Sequence, residues 1–170
     1  MQEPSSVELA YLPTTADAVG AIRARRRTSR LWNGVLLASA IVVLSVLILN
    51  FMGPRKPGST VLCLAALALF IGMHVLVPTL KGRQIHKMVA PQGEFQAIVD
   101  DSGVRVTSRD SEMTFRWPML TRYAETDELF VLMTPDKYRV AFVVLPKRGV
   151  AEPADVDRLH AVLNRNATRV

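Results

Sequence analysis

The chain has 170 residues, a single cysteine and a formal net charge of +6. This length suits one domain of ordinary size with some additional elements, so we expect no second enzyme domain. One cysteine excludes both an intramolecular disulfide and a cysteine-rich zinc site. Residues 1–87 hold ten of the 21 basic residues but three of the 15 acidic ones. The positive charge therefore belongs to the first half of the chain and does not indicate a nucleic-acid-binding face on the second.

Residues 1–30 predict a strand followed by a basic helix. In the stretch SSVELAYLP, apolar and polar side chains alternate from Val7 to Tyr11, as is typical of a strand. The following stretch TTADAVGAIRARRR predicts a helix capped by Thr14 or Thr15. A lone strand is unstable in water. We therefore expect this strand to join the sheet predicted for the second half and to close one domain across the segment between them.

Two long uncharged segments follow, at residues 31–52 and 59–80. Each is long enough to cross a hydrocarbon core of about 30 Å as a helix. The stretch GPRKPG at 53–58 joins them and contains two prolines and two glycines, which end a helix. A signal peptide is an alternative, but the polar residues 1–30 come first and each apolar core is too long. A buried hairpin of a soluble protein would leave little protein to cover it. We predict a two-helix transmembrane hairpin.

The charges that flank the hairpin predict its orientation. Eight cations flank the two ends of the hairpin, whereas the connecting turn contains two, Arg55 and Lys56. This asymmetry predicts a multi-pass protein of the cell inner (plasma) membrane with both termini in the cytoplasm. The cations would bind anionic lipid headgroups at about 1 kcal/mol each. The predicted anchoring residues are Arg23, Arg25, Arg26, Arg27, Arg30, Lys81, Arg83 and Lys87, with Trp32 as an interfacial aromatic.

Specific recognition of a phosphoinositide or of nucleic acid by the arginines is an alternative to anchoring. No aromatic residues for base stacking lie among them, so we expect no nucleic-acid partner.

His74 is the only histidine within the two predicted spans. An ionisable side chain inside a membrane is a functional candidate, but a proton relay or a metal site needs partners that neither span supplies. We expect a neutral imidazole, hydrogen-bonded to the facing helix or to a neighbouring subunit of a homo-oligomer.

Residues 88–170 predict a small cytoplasmic sheet domain covered by one helix. Alternating apolar residues predict five strands in an antiparallel meander, the last at residues 138–145. Asp100 and Asp101 are predicted to form a turn and Trp117 to lie in the core. EPADVDRLHAVLNRN predicts an amphipathic C-terminal helix that begins at Pro153. The predicted class is an α+β membrane protein, a transmembrane hairpin joined to a sheet domain similar to the pleckstrin-homology architecture.

The stretch PKRG places two cations, Lys147 and Arg148, at the end of the last predicted strand. They are candidates for contact with lipid headgroups or with a protein partner, and the alternative is a turn with solvated charges. The sequence contains no glycine-rich phosphate loop, no histidine pair with metal-ligand spacing and no GxSxG nucleophile. We therefore expect no cofactor, no metal and no enzymatic activity.

The layout resembles one protein family. The resemblance rests on the N-terminal strand and basic helix ahead of two closely spaced hydrophobic segments, on Trp117 after an alternating strand, on the acidic turn in ETDELFVLM, and on LPKR before the last helix. In these features the chain is similar to the YcxB-like membrane proteins of bacteria over nearly its whole length. The resemblance implies an integral membrane protein and supplies no catalytic residue.

Together these features predict that the cytosolic sheet domain is a non-catalytic binding or regulatory module of a membrane protein. The alternative is an accessory or oligomeric subunit of a membrane transporter or channel, assembled around His74.

Overall fold

The computed structural model describes residues 6–28, 30–52, 57–135 and 142–170. The described chain forms two compact units. The sheet unit lies within Met1–Thr28 and Gly82–Val170, and the helical unit lies within Ser29–Lys81. Residues 53–56 of the predicted connecting turn, with Arg55 and Lys56, lie outside the described residues, as do residues 138–141 of the last predicted strand.

The helical unit is built from apolar helices. They are α2 (Arg30–Met52), α3 (Pro57–Ile71), a π-helical turn (Gly72–Leu76) and the first residues of α4 (Val77–Val89). Two helical stretches of the described chain, Trp32–Asn50 and Val61–Gln92, are long and apolar enough to cross a membrane. Large apolar side chains such as Leu49 and Leu69 are exposed on them, which is typical of surfaces that contact lipid or another protein.

Side-chain contacts show that α2 and α3 run antiparallel. Asn50 near the end of α2 donates from Nδ2 to Cys63 Sγ in α3 (3.0 Å). At the other end of the pair, the ring centroid of Trp32 lies 5.9 Å from that of His74. The hairpin predicted from the sequence is thus present as a pair of packed helices, although the second helix does not end near Leu80 but continues without a break to Val89.

Pro78 explains the π-helical turn. A proline inside a helix lacks the amide hydrogen and clashes with the carbonyl four residues earlier, here that of His74. A wider turn relieves this clash. The Val77 N–H donates to Gly72 O, five residues back, as a π-helix requires.

The first sheet contains the N-terminal strand. Its strands are β1 (Val7–Tyr11), β2 (Phe95–Asp100), β3 (Gly103–Thr107) and β4 (Glu112–Arg116), in that order and all antiparallel. β1 pairs with β2 in the register Val7↔Val99 and Tyr11↔Phe95. The expectation that the N-terminal strand joins the sheet beyond the apolar segments is therefore confirmed.

The second sheet was not predicted. It consists of β5 (Arg122–Glu125), β6 (Leu129–Met133), β7 (Phe142–Pro146) and β8 (Thr168–Arg169), in the order β7-β6-β5-β8. β8 runs parallel to β5. The predicted single meander of five antiparallel strands is wrong in strand number and in continuity, whereas the α+β class is confirmed. The likeness to the pleckstrin-homology architecture stays a prediction.

The break between the sheets has a local cause at Trp117 and Pro118. Pro118 has no N–H to continue the ladder of β4, and the chain forms a 3-10 turn at Trp117–Met119. Trp117 is buried, as predicted, and its Nε1–H donates to Asp100 O (3.0 Å). Asp100 forms the predicted turn, since its Oδ1 accepts from Ser102 N (2.7 Å).

Two further helices cover the sheets. α5 (Pro153–Asn166) buries Leu159, Val162 and Leu163 in the main core. α1 (Thr15–Thr28) packs Ala21 and Ala24 against the second sheet, next to side chains of β5 and β6. All five residues of β6 are therefore buried, because α1 lies on one face of the strand and the main core on the other.

We expect Leu9→Ala to destabilise the sheet unit by about 2–5 kcal/mol, the usual cost of removing a buried leucine side chain. Leu9 is 2 % exposed in β1 and belongs to the main core. The matched control is Glu8→Ala, whose side chain is exposed in the same strand, with an expected change of about 0.5 kcal/mol or less. Hydrogen exchange of the β2 amides measures both. Equal exchange in the two variants would show that β1 is dispensable.

Candidate functional site

The sheet unit contains a partly open apolar cavity of about 390 Å³. Small-molecule sites in proteins have volumes of roughly 300–1,000 Å³ and mostly apolar walls with a few polar groups. Both sheets and the last turns of α4 line this cavity. The apolar lining residues include Ile85 and Val89 from α4 and Phe95, Val106, Phe115 and Val143 from the strands.

Four polar side chains also line the cavity, namely Tyr11, Thr14, Asp17 and His86. The first three come from β1 and the start of α1, so the N-terminal segment supplies most of the polar lining. Tyr11 Oη donates to Val144 O in β7 (2.8 Å). This bond joins β1 of the first sheet to β7 of the second beside the cavity.

Thr14 and Asp17 form a reciprocal cap at the start of α1. Thr14 Oγ1 accepts from Asp17 N (3.2 Å), and Asp17 Oδ2 accepts from Thr14 N (2.8 Å). This arrangement satisfies amide donors that a helix N-terminus leaves unpaired. The prediction of a helix capped by Thr14 or Thr15 is confirmed for Thr14.

Asp17 is also one half of an ion pair with Arg148. The guanidinium donates from both terminal nitrogens to the two carboxylate oxygens of Asp17, at 2.7 and 2.6 Å, and also to Leu12 O at 3.1 Å. The Asp17 side chain is 6 % exposed, whereas that of Arg148 is 45 % exposed. Bidentate pairs of this kind are strong and fix the geometry of both partners.

The ion pair with Arg148 favours the ionised form of Asp17. Burial by itself raises the pKa of this carboxyl, but the hydrogen bonds from Arg148 and Thr14 outweigh burial, so its pKa lies below the usual value. The hydrogen bond to Asp17 raises the pKa of Arg148. Burial, with the charge of Asp17, raises the pKa of Tyr11. The negative charge of Asp17 in the cavity wall is thus neutralised by Arg148, and the phenol of Tyr11 stays neutral.

His86 differs from the other polar lining residues. Its Nδ1 is buried and has no hydrogen-bond partner among the described residues. Gly82, one turn earlier on α4, lies against Val19 of α1, where an added Cβ would come within 3.0 Å of the Val19 amide nitrogen. Residues four apart share a helix face, so α4 presents His86 on the side that packs against α1.

Lys147 and Arg148, the two candidates for headgroup or partner contact, lie in a 3-10 turn after β7. The turn of the alternative interpretation is present, and both cations are paired with carboxylates of the protein. Arg148 pairs with Asp17, and Lys147 Nζ lies 2.8 Å from Glu125 Oε1. Pairing within the protein weighs against a headgroup contact, which stays a prediction.

Glu125 is the centre of a second polar cluster. Its carboxylate contacts Lys147, Arg169 Nη2 (3.1 Å) and His160 Nε2 (3.4 Å). Burial raises the pKa of Glu125, but the hydrogen bond and charge of Lys147 outweigh it, so the pKa is lower than usual. Asn164 links His160 to the Tyr123 hydroxyl. The cluster joins β5, β8 and α5, and we assign it to stability.

The predicted anchoring residues are divided between two helices. Arg23, Arg25, Arg26 and Arg27 lie on α1, and Lys81, Arg83 and Lys87 are exposed on α4. The side chain of Arg30 lies outside the described residues. Burial, with repulsion from Arg25, lowers the pKa of Arg26. Trp32 is half-buried beside His74. Their anchoring role stays a prediction.

His74 bonds to its own helix and not, as expected, to the facing one. Its Nδ1 lies 2.8 Å from Phe70 O, and since a carbonyl only accepts, Nδ1 carries the proton. Nε2 is buried and has no partner among the described residues. No cluster of three or more His, Cys, Asp or Glu in the described parts of the chain could hold a metal ion.

The residues define an α+β protein with two helices able to cross a membrane and a sheet unit that contains a partly open apolar cavity. Residues 99–163 match the family model of the YcxB-like proteins. The resemblance predicted from the sequence is confirmed for this segment, which runs from the end of β2 into α5 and includes Trp117, Lys147 and Arg148. No curated protein and no solved structure matches the chain.

We expect Asp17→Asn to destabilise the sheet unit by about 1.5–3 kcal/mol, because it removes a charged hydrogen-bond acceptor from a buried pair. The folded pKa of Asp17 is lowered, so its contribution is complete above the unfolded value of about 3.9 and is lost as pH falls through the folded pKa. Stability of the wild type should therefore fall more steeply below about pH 4 than that of the variant.

The matched control is Asp101→Asn, since the Arg165–Asp101 pair is exposed on both sides and should contribute about 1 kcal/mol or less. Denaturant unfolding at several pH values measures both variants. A loss at Asp17 no larger than that at Asp101 would contradict a structural role for the buried pair.

Proposed function

We propose that this protein is a two-pass membrane protein whose sheet unit is a non-catalytic binding module, and that its ligand is a small apolar molecule held in the cavity. The observation that carries the proposal is the cavity itself. Its volume of about 390 Å³ falls in the range of small-molecule sites. Its walls are mostly aliphatic and aromatic, which favours an apolar ligand through the burial of apolar surface.

Two of the polar lining groups, Asp17 and Tyr11, are engaged by partners within the protein, which favours a structural role over catalysis for these two groups. General acid–base chemistry needs a titratable group that faces the substrate with a free proton or lone pair. The carboxylate of Asp17 accepts three hydrogen bonds on its two oxygens, one from Thr14 N and two from Arg148. Tyr11 donates its proton to a main-chain carbonyl and burial keeps it protonated. These groups hold the wall of the cavity together.

The pairing of β1 with β2 supports the two-pass topology. β1 precedes both apolar helical stretches and β2 follows both, yet the two strands share a sheet. One crossing of a membrane would separate them, whereas two crossings return the chain to the same side. The excess of cations outside the two helices supports a cytoplasmic location of this side, at the inner membrane. Anionic headgroups are the lipid partners that Lys81, Arg83 and Lys87 would contact.

We expect Val106→Phe to weaken binding of an apolar probe, because the added ring occupies the cavity that Val106 lines. Displacing about two methylene groups of the probe, at about 0.8 kcal/mol each, weakens binding about tenfold. The measurement uses the full-length protein in lipid nanodiscs and decane carrying a diazirine. Saturable cross-links are mapped by mass spectrometry to Phe95 and Phe115.

Thr107→Phe is the matched control, since it adds the same ring to an exposed position of the same strand and should leave the cross-links unchanged. Cross-links on α2 and α3 report exposure of the probe to the lipid-facing helices. If cross-links appear only there, the cavity binds no apolar ligand and the proposal fails.

A second candidate function is that of an oligomeric or accessory subunit of a membrane transporter or channel. The observation that favours it is the buried Nε2 of His74, which has no partner among the described residues and lies in the π-helical turn. π-helical turns inside helices are frequent at functional sites.

Under this second candidate, His74→Leu should shift the protein from oligomer to monomer, because it removes the polar side chain around which this candidate assembles the subunits. Val75→Leu, at an exposed position of the same turn, is the control. Single-molecule photobleaching in bilayers counts the subunits of each variant. An unchanged subunit count in His74→Leu would remove the support for this candidate.

A further inference from the structure

We infer that two copies of the chain associate through β4, the edge strand of the first sheet, and that a two-fold axis joins their four-stranded sheets into one antiparallel sheet. This association requires neither a ligand in the cavity nor His74, and so goes beyond the proposed function. Three features of β4 carry the inference: its uncovered edge, the direction of its main-chain groups and the order of its side chains.

β4 is an edge strand whose free side no strand of the described chain covers. It pairs with β3 alone, and four of its five residues are exposed. At the opposite edge of the same sheet, Leu9 of β1 forms a bridge with Val150. The main-chain groups on the free side of an edge strand can pair with another strand, so proteins usually shield such edges. The uncovered edge of β4 therefore indicates a site for strand addition.

The hydrogen-bonding pattern shows which residues face the free side. Ser108 N donates to Ser111 O (2.8 Å) at the turn between β3 and β4. Hydrogen-bonded pairs alternate with non-hydrogen-bonded pairs along an antiparallel ladder, so every second residue of β4 bonds to β3. The N–H and C=O groups of the remaining residues point to the free side, and these residues are Glu112, Thr114 and Arg116.

The sequence of β4, EMTFR, is complementary to itself in the antiparallel direction. When the two copies of Thr114 face each other at the two-fold axis, Glu112 of each copy faces Arg116 of the other, and Met113 faces Phe115. The residues with free main-chain groups then face one another, so each of these groups gains a partner. A two-fold interface requires such self-complementarity. Opposite charges at facing positions also stabilise antiparallel strands.

The side chains of these residues are available for a second copy. Arg116 is exposed and has no ion pair among the described residues. Glu112 lies 3.6 Å from Arg105 of β3, but both side chains are more than half exposed, so a second cation can approach the carboxylate. Met113 is 44 % exposed at the margin of the cavity. Phe115 of the second copy covers this methionine and removes apolar surface from water.

The test reverses charges on β4 in the full-length protein in lipid bilayers. Glu112→Arg places like charges at both ends of the paired strands, and so does Arg116→Glu, whereas the double variant restores both opposite-charge pairs. We expect each single variant to weaken dimerisation about tenfold, and the double variant to recover it to within about threefold of wild type. Single-molecule photobleaching counts subunits at several protein densities, because an interface of one strand from each copy is small and its association reversible.

Arg122→Glu is the control for the change in net charge, since Arg122 is exposed on the second sheet, and it should leave the subunit count unchanged. Cysteine cross-linking in a Cys63→Ala background tests the register. Thr114→Cys should form a disulfide with its copy, because Cα atoms of a hydrogen-bonded pair lie about 5.5 Å apart, within the range of about 4.4–6.8 Å that a disulfide spans. Thr107→Cys, exposed on β3, should not.

Three outcomes would overturn the inference. A wild type that stays monomeric at every density would show that no second copy occupies the edge. A double variant that dimerises as weakly as the single variants would contradict the pairing of Glu112 with Arg116. Dimerisation that His74→Leu abolishes and Glu112→Arg leaves unchanged would place the contact in the helical unit. Binding of the apolar probe in the cavity is a separate measurement, so the proposed function stands or fails independently of these results.

Discussion

The antiparallel pairing of β1 with β2 is the constraint on which the rest of the sheet unit depends. It joins chain segments that lie before and after the whole helical unit, in the register Val7↔Val99 to Tyr11↔Phe95. Side chains at alternate positions of β1, Val7 and Leu9, are buried in the core that both sheets share. Because β1 is fixed in this way, α1 lies on the second sheet and Tyr11 reaches Val144. Without β1 the cavity would lose Tyr11, Thr14 and Asp17 from its wall.

The Asp17–Arg148 ion pair also links an N-terminal to a C-terminal segment of the chain. It contributes to the specificity of the fold more than to its net stability. Desolvating two charges offsets much of their attraction, so a buried pair is weak support for stability, although removal of one partner is costly. The cap formed with Thr14 orients the carboxylate before the guanidinium meets it. The arginine donates also to Leu12 O. The pair thus fixes the start of α1 against the turn that follows β7.

Local features could be predicted from the sequence because each has a local physical cause. The strand at β1, the Asp100 turn, the cap at Thr14, the burial of Trp117 and the stripe of α5 all follow from alternation, side-chain capping or helical spacing. The split into two sheets was missed, since the alternation of apolar residues continues to Trp117 and gives no sign of the break that Pro118 causes. β8 has two residues, too few for any periodic signal.

The candidate site was missed because its residues come from distant segments: Arg148 lies 131 positions from Asp17, and the sequence between them carries no sign of the contact. The Thr-x-x-Asp spacing could have marked Asp17 as a capping residue, but nothing in the sequence marks it as buried.

The basic helix α1 packs on the second sheet and also carries several of the arginines that precede the first apolar helix. Its alanines at positions 21 and 24 are three residues apart and lie against the second sheet, so the arginines occupy the remaining surface of the helix. Arg23 and Arg27 are four residues apart and line a small cleft with Thr126, Asp127 and Glu128 of the turn before β6. The positive-inside effect depends on the number of cations near the ends of a membrane helix and not on their free exposure. Packing of α1 on the sheet and retention of its charge on one side of a membrane are therefore compatible. The small alanine face makes the close packing possible, and the arginines that surround it supply positive charge that favours the proposed two-pass topology.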